Sequence, residues 1–103
     1  MAEPTVVDVP EQSRFEVQVD GAVAGFADYR REDERVVITH TEVDDAFEGQ
    51  GLAGALTSGA LDAIREREEL VVPVCRFTAR YIERHDEYAD LVDHDRLAEL
   101  ADD

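Results

Sequence analysis

The feature that most constrains this chain is a β-branched strand that leads through a glycine turn into a helix. The strand spans Arg35–Val43 and is rich in valine, isoleucine and threonine. The turn, Glu48-Gly49-Gln50-Gly51, holds two glycines, which can adopt positive φ and let a ligand approach the backbone. The helix begins near Leu52, and the first N–H groups of a helix have no intrahelical acceptor and carry partial positive charge. The segment therefore predicts a site for an anion such as a phosphate or a pyrophosphate.

The glycine pattern alone leaves the identity of the anion open. Residues 49–54 match GxGxxG, but a dinucleotide site also needs an acidic residue at the end of the next strand. Glu68 and Glu69 instead come before that strand, which we place at Leu70–Val74. A phosphate loop of the Gly-Lys-Ser/Thr type is excluded because the ten basic residues are all arginine. On the residues alone, a glycine-rich connection that binds nothing remains an alternative.

The charge balance narrows the classes of function. The chain has 26 acidic residues against 10 basic ones, a net charge of −16, yet the acids are spread among patterned apolar segments. This favours a folded domain with an acidic surface over a disordered tail, and it disfavours direct nucleic-acid binding. Such a surface is similar to that of proteins from salt-accumulating halophiles, because at ~1 M salt the Debye length falls to about 3 Å. No long apolar run or signal-like start is present, so we expect a cytoplasmic protein without a membrane segment.

The N-terminal half is predicted to form three antiparallel strands. Residues 1–13 contain two prolines and no periodicity, so we expect a loose lead-in there and a single domain over residues 14–103. Alternating hydrophobicity and an Asp-Gly turn predict strands at Arg14–Val19, Ala22–Arg30 and Arg35–Val43.

His40 lies in the third strand. Simple alternation would place four of its residues on one face, namely Val36, Ile38, His40 and Glu42. A histidine that follows two apolar residues and precedes a carboxylate is either a structural residue or a catalytic base.

The C-terminal half is predicted to contain a main helix from Gly51 to about Glu68, a short buried strand and two further helices. The strand at Leu70–Val74 should pair parallel to the third strand, because a helix joins the two. The second helix should run from Arg76 to about Arg84, and a short amphipathic helix should cover Asp93–Asp103. Cys75 directly precedes the second helix.

A thiol in the position of Cys75 has two interpretations. At a helix N-terminus the thiolate is favoured, so the pKa should fall and the group should be reactive. The alternative is a small buried core residue.

The glycine turn also carries a family resemblance. Glu48-Gly49-Gln50-Gly51-Leu52-Ala53 resembles the Q/R-x-x-G-x-G/A motif of the GNAT superfamily of N-acetyltransferases, whose backbone amides hold the pyrophosphate of acetyl-CoA. From about Arg14 to Val92 the chain resembles the small stand-alone YjdJ-like subfamily, on the segments His40-Thr41-Glu42-Val43, FEGQGLAGAL, Val72-Pro73-Val74-Cys75, Tyr81-Ile82-Glu83-Arg84-His85 and Glu87-Tyr88. One departure is Glu48, where arginine or glutamine is usual. An acid there does not help to bind a pyrophosphate, whereas backbone donation needs no particular side chain.

The resemblance implies an α+β fold of the minimal GNAT type, in the order β-β-β-α-β-α. An antiparallel three-stranded sheet would be joined by a parallel strand that splays away, and a short C-terminal helix would follow. It also implies acetyl-CoA as co-substrate and an amine acceptor, either a small molecule or a protein lysine. A non-catalytic acetyl-CoA-binding or regulatory module, or a structural domain with an empty turn, remains an alternative.

The resemblance further assigns candidate site residues. His40 and Cys75 are the catalytic candidates, either in direct transfer or in a route through an acetylated Cys75. The candidates for contact with acetyl-CoA are Glu42, Val43, Glu48, Gly49, Gln50, Gly51, Leu52, Ala53, Tyr81, Arg84 and His85.

The second helix also carries an arginine stripe at i, i+4 and i+8, formed by Arg76, Arg80 and Arg84. These side chains either contact CoA phosphates or pair with neighbouring acids of their own helix and its exit.

Overall fold

The computed structural model describes residues 3–101 and contains a five-stranded mixed sheet with three helices. The strands, which lie in chain order across the sheet, are β1 (Thr5–Val9), β2 (Arg14–Val19), β3 (Ala22–Glu32), β4 (Arg35–Val43) and β5 (Leu70–Pro73). Neighbouring strands are antiparallel except β4 and β5, which are parallel. The helices are α1 (Leu52–Glu66), α2 (Arg76–Arg84) and α3 (His94–Ala101), and short 3-10 turns lie at Pro10–Gln12, Asp45–Phe47 and Asp86–Leu91. Within this range no helix has the length and apolar character needed to cross a bilayer.

The α+β class and the predicted order of elements are confirmed. β2, β3, β4, α1, β5 and α2 follow one another as expected, and α3 is the short C-terminal helix. The β2–β3 hairpin turns through Asp20 and Gly21, whose φ angles of 52° and 82° are those that an Asp-Gly hairpin turn requires. The last two residues of the predicted C-terminal helix, 102 and 103, lie outside the described residues.

The prediction of a loose lead-in is wrong for residues 5–12. Thr5–Val9 form β1, which pairs antiparallel with β2, and Pro10–Gln12 form a 3-10 turn. Val6 packs onto α1 so closely that a Cβ added at Gly59 would lie 2.6 Å from the Val6 side chain. The hydroxyl of Tyr29 donates a hydrogen bond of 2.7 Å to Asp8. β1 is therefore an integral edge strand of the sheet.

The main core lies between one face of the sheet and α1. Apolar residues recur along α1 at helical spacing, so that one stripe of the helix is buried: Leu52, Leu56, Ala60, Leu61 and Ile64. Sheet residues such as Phe15 and Val17 meet this stripe, and none of these core residues is more than 5% exposed. Burying side chains of this size contributes roughly 1.5–3 kcal/mol each, which fixes α1 and its N-terminus against the sheet.

A β-bulge in β4 sets the direction of the side chains near the site. Asp28 of β3 pairs with His40, but the next residue, Tyr29, pairs with Ile38, so that Thr39 is an extra residue on β4. An extra residue exchanges the two faces of a strand from that point onwards.

The prediction that four alternate residues of β4 share a face is therefore wrong. Val36 and Ile38 belong to the core under α1, and beyond the bulge Thr41 and Val43 continue that face. His40 and Glu42 project from the opposite face, which we call the open face of the sheet.

The pairing between β4 and β5 ends early. The parallel register runs from Arg35↔Leu70 to Ile38↔Pro73, and the N–H of Cys75 then donates to the carbonyl of Ile38 at 2.8 Å. Within the described chain, β4 has no strand partner on this side from His40 to Val43. β5 thus ends while β4 continues to Val43, which leaves a free backbone edge on β4 where the resemblance predicts the splay.

Candidate active site

The turn before α1 presents a row of unused backbone donors. Gly49 and Gly51 have φ of 83° and 71°, and a Cβ added at either would meet no protein atom within 4 Å. In residues 3–101 no acceptor takes the N–H groups of residues 49–54, the first helical bond being that of Ala55 to the carbonyl of Gly51. A cavity of about 200 Å³ opens beside the turn, lined by Val43, Phe47, Glu48, Gly49, Gly51, Leu52 and Ala53. Six successive N–H groups at a helix N-terminus therefore have no protein acceptor within residues 3–101.

Acidic side chains lie on one side of this turn. Glu48 lines the cavity beside the turn and also a larger neighbouring cavity of about 580 Å³, whose other lining residues are Thr41, Glu42, Val43, Asp44 and Asp45. An anion at the turn would therefore be held by backbone groups, while the carboxylates around it would favour a cation nearby.

Cys75 lies two residues after the end of β5, where the pairing with β4 stops. It is the N-cap of α2, as predicted, and its half-buried thiol lies 3.5 Å from the hydroxyl of Thr41. Burial raises the pKa of the thiol, but hydrogen bonds from Thr41 and from Thr78 and Phe77 in the first turn of α2 outweigh it, and the net pKa is lowered. Thr41, which the sequence did not single out, is thus the β4 residue that contacts Cys75.

His40 lies on the open face, on the other side of β4 from Cys75. Its Nε2 is 3.2 Å from a carboxylate oxygen of Glu42, and its ring centroid is 6.1 Å from that of Phe26. The side chains of His40 and Glu42 are 56% and 61% exposed. The structure does not bring the two catalytic candidates together; it places them on opposite sides of the same strand edge.

The candidates on α2 form a separate cavity of about 360 Å³. It is lined by Phe77, Arg80, Tyr81, Arg84 and His85. The rings of Tyr81 and His85 stack with centroids 3.9 Å apart, and Nδ1–H of His85 donates to the carbonyl of Tyr81 at 2.8 Å. A Cβ added at Gly54, in the first turn of α1, would lie 3.7 Å from the Tyr81 ring, so one lining residue of this cavity lies against the start of α1.

The arginines divide into two groups. Seven of the ten form salt bridges with carboxylates: Arg14, Arg30, Arg31, Arg35, Arg65, Arg67 and Arg96. Among the residues that the structure describes, Arg76, Arg80 and Arg84 have no such partner, although Glu83, Asp86 and Glu87 are their neighbours in sequence. The expected alternative of local pairing with these acids is therefore not observed.

The comparisons with known proteins agree with this geometry. Residues 14–91 match the model of the GCN5-related N-acetyltransferase family, and the chain belongs to that family. Its fold resembles a GCN5-like protein from Staphylococcus aureus, with a TM-score of 0.65 and 22% identity over 85% of this chain and 86% of that one. It also resembles Ard1 from Thermoplasma volcanium, with a TM-score of 0.50 and 30% identity over 62% of this chain but 44% of Ard1. No curated protein matches the chain in sequence.

Membership of this family makes the chain an acetyltransferase of the GNAT superfamily, and acetyl transfer is the reaction of that class. The narrower resemblance to the YjdJ-like subfamily stays a prediction.

Proposed function

We propose that the protein is an acetyl-CoA-dependent N-acetyltransferase that moves an acetyl group to an amine. The observation that carries this proposal is the run of six free N–H groups at residues 49–54, next to the free edge of β4. A pyrophosphate is bound by several backbone N–H groups at the positive end of a helix, and the unpaired N–H groups at the start of α1 support such a site. The family motif usually has arginine or glutamine where this chain has Glu48. This difference removes a side-chain contact to the pyrophosphate but leaves the backbone donors in place.

The residues fit acetyl-CoA in three parts. The N–H groups of Gly49, Gln50, Gly51, Leu52 and Ala53 would hold the pyrophosphate. The unpaired backbone of Glu42 and Val43 on β4 offers hydrogen bonds to the amides of the pantetheine arm. Tyr81, Arg84 and His85 line the cavity on α2, whose Tyr81 lies against the first turn of α1, and they would contact the remainder of the molecule.

The chemistry assigns a role to each side of β4. Acetyl-CoA supplies an activated acyl group, and the acceptor amine must lose a proton before it attacks the thioester carbonyl. His40 on the open face, oriented by Glu42, would take this proton directly or through water. On the other face, the Cys75 thiol or a tyrosine hydroxyl would return a proton to the departing sulfur, so that the products are the amide and the free thiol of CoA.

The opposite orientation of His40 and Cys75 favours direct transfer over an acetylated Cys75. A covalent route needs a base within hydrogen-bond reach of the thiol, whereas the side chains that hydrogen-bond to Cys75 are the hydroxyls of Thr41 and Thr78. A Cys75→Ala variant should therefore retain turnover in direct transfer. Its complete inactivity, with acetyl-CoA still bound, would instead favour the covalent route.

Two measurements in molar KCl test the proposal. Acetyl-CoA at 100 times its Kd should raise the free energy of unfolding by about 2.7 kcal/mol. Release of CoA should then be followed with a panel of primary amines, because the acidic wall beside the turn suits a cationic acceptor. His40→Ala should lose turnover without losing this stabilisation, since His40 lies away from the turn. A wild-type protein that acetyl-CoA does not stabilise would refute the proposal.

A second function is favoured by one observation, the acid at position 48. A non-catalytic module that binds acetyl-CoA and regulates a partner would tolerate weaker binding of the pyrophosphate. Stabilisation by acetyl-CoA without release of CoA, with every amine in the panel, would identify such a module.

A further inference from the structure

We propose that the cavity on α2 binds the 3′-phosphoadenosine end of CoA, and that Arg80 and Arg84 make the protein select CoA over its dephosphorylated form. This inference rests on the proposed use of acetyl-CoA. It adds a site that recognises one particular phosphate of that molecule.

The first support is the charge distribution. The chain has 26 acidic side chains, and seven of its ten arginines are paired with them. The three arginines of α2 are exposed and, within residues 3–101, take no carboxylate partner. In so acidic a protein an arginine without an acid is unusual, and three on one helix stripe concentrate positive charge at one place. This patch is therefore suited to an anion, in addition to the backbone donors of the glycine turn.

The first turn of α2 strengthens the argument. A helix N-terminus is stabilised by acids and destabilised by cations, yet Arg76 occupies the first turn of α2 and no acid is present there. Helix stability alone does not account for an arginine at this position. An anionic ligand would compensate for it.

The cavity lies close to the start of α1. Tyr81 lines the cavity and lies against Gly54, one helical turn from the N-cap Gly51. The adenosine of a CoA molecule whose pyrophosphate is held at residues 49–53 would therefore extend towards this cavity. The pantetheine arm would leave in the other direction, along the edge of β4.

The lining residues match the chemistry of a phosphorylated nucleoside. A phosphate monoester carries a charge of about −1.5 to −2 at pH 7, and a guanidinium group binds it through two parallel hydrogen bonds. Phe77 is 42% exposed, and the Tyr81–His85 stack provides flat surfaces beside the arginines. Aromatic faces of this kind stack on a nucleobase.

The experiment compares acetyl-CoA with acetyl-3′-dephospho-CoA, by calorimetric titration in one buffer of molar KCl. The variants are Arg80→Gln, Arg84→Gln and the double variant. Arg30→Gln is the matched control, because it removes the same charge from an exposed arginine at the far end of β3. The thermal unfolding of each variant shows that it is folded, which we expect because all three side chains are exposed.

The wild type should bind acetyl-CoA at least about tenfold more tightly than the dephospho form. Each glutamine substitution on α2 should weaken acetyl-CoA binding by about tenfold and leave the dephospho form nearly unchanged, so that the double variant no longer distinguishes the two. Arg30→Gln should keep the wild-type ratio.

Two results would overturn the inference in different ways. If the wild type binds both molecules equally and the substitutions change neither, the 3′-phosphate site is wrong while the use of acetyl-CoA stands. If the wild type binds neither molecule, the proposed function itself fails.

Discussion

The docking of β1 on α1 can be tested at Gly59. This residue lies in the interior of α1, and a Cβ added there would lie 2.6 Å from both Cβ and Cγ2 of Val6 and 2.9 Å from its Cγ1. Such distances are well inside van der Waals contact, so either β1 or α1 must move. Gly54 on the same helix is a matched control, because its added Cβ would meet only the Tyr81 ring at 3.7 Å.

Two opposing effects determine the size of the change. Replacing glycine by alanine inside a helix stabilises it by about 0.8–1 kcal/mol. Overpacking a core contact costs roughly 1–3 kcal/mol. Gly54→Ala experiences mainly the first effect, whereas Gly59→Ala experiences both. The free energies of unfolding of the two variants should therefore differ by about 1–3 kcal/mol, with Gly59→Ala the less stable.

Thermal and urea unfolding in molar KCl, without acetyl-CoA, measure this difference. For a domain of this size about 1 kcal/mol corresponds to a shift of roughly 4–8 °C in the melting temperature. In a Val6→Ala background two of the three crowding atoms are gone, so the Gly59→Ala substitution should cost less there. If Gly59→Ala stabilises the protein as much as Gly54→Ala does, β1 does not pack on α1 in this register.

Three further predictions follow from the electrostatics. Burial and the hydrogen bond to Asp8 raise the pKa of Tyr29 to about 12 from an unfolded value of 10.0. The protonated hydroxyl therefore stabilises the fold fully below pH 10, and this stabilisation is lost as the pH rises towards 12. Between pH 10 and 12 the free energy of unfolding should fall more steeply for the wild type than for Tyr29→Phe. The Cys75 thiol should react with iodoacetamide with a pH midpoint below that of an ordinary thiol, and Thr41→Val should raise the midpoint by removing a hydrogen bond to the thiolate; equal midpoints would contradict the assigned contact. Because the net charge is −16, the melting temperature should rise from dilute to molar KCl as repulsion between the carboxylates is screened. A melting temperature that does not depend on salt would refute this prediction.

The parts of the fold that depend on local chemistry could be predicted from the sequence. The Asp20-Gly21 turn, the strand-to-helix transition at Gly51 and the position of Cys75 at the start of α2 all follow from neighbouring residues. β1 was missed for a reason of the same kind. Thr5–Val9 is rich in valine, but the prolines on both sides of this short segment indicate an irregular structure.

The remaining features arise from pairings between distant residues. The bulge at Thr39 depends on the register between β3 and β4, which the sequence of β4 alone does not determine. The bulge in turn determines the face of the sheet on which His40 lies. Likewise, Arg96 pairs with Glu32 across 64 positions of sequence. The carboxylate partners of the other arginines are known only from the folded structure. The sequence alone therefore could not show that the arginines of α2 have no carboxylate partner among the described residues.

The prolines on either side of β1 limit edge-to-edge association between molecules, and this matters most at high salt. β1 is an edge strand, and its outer backbone groups meet no partner in the part of the chain that the structure describes. A bare edge invites a strand from another molecule, and charge repulsion between molecules prevents this only in dilute solution. Pro4 and Pro10 confine the edge to five residues because a residue without an N–H cannot extend a ladder. This protection against aggregation depends on the covalent structure of proline, so it does not change with the salt concentration.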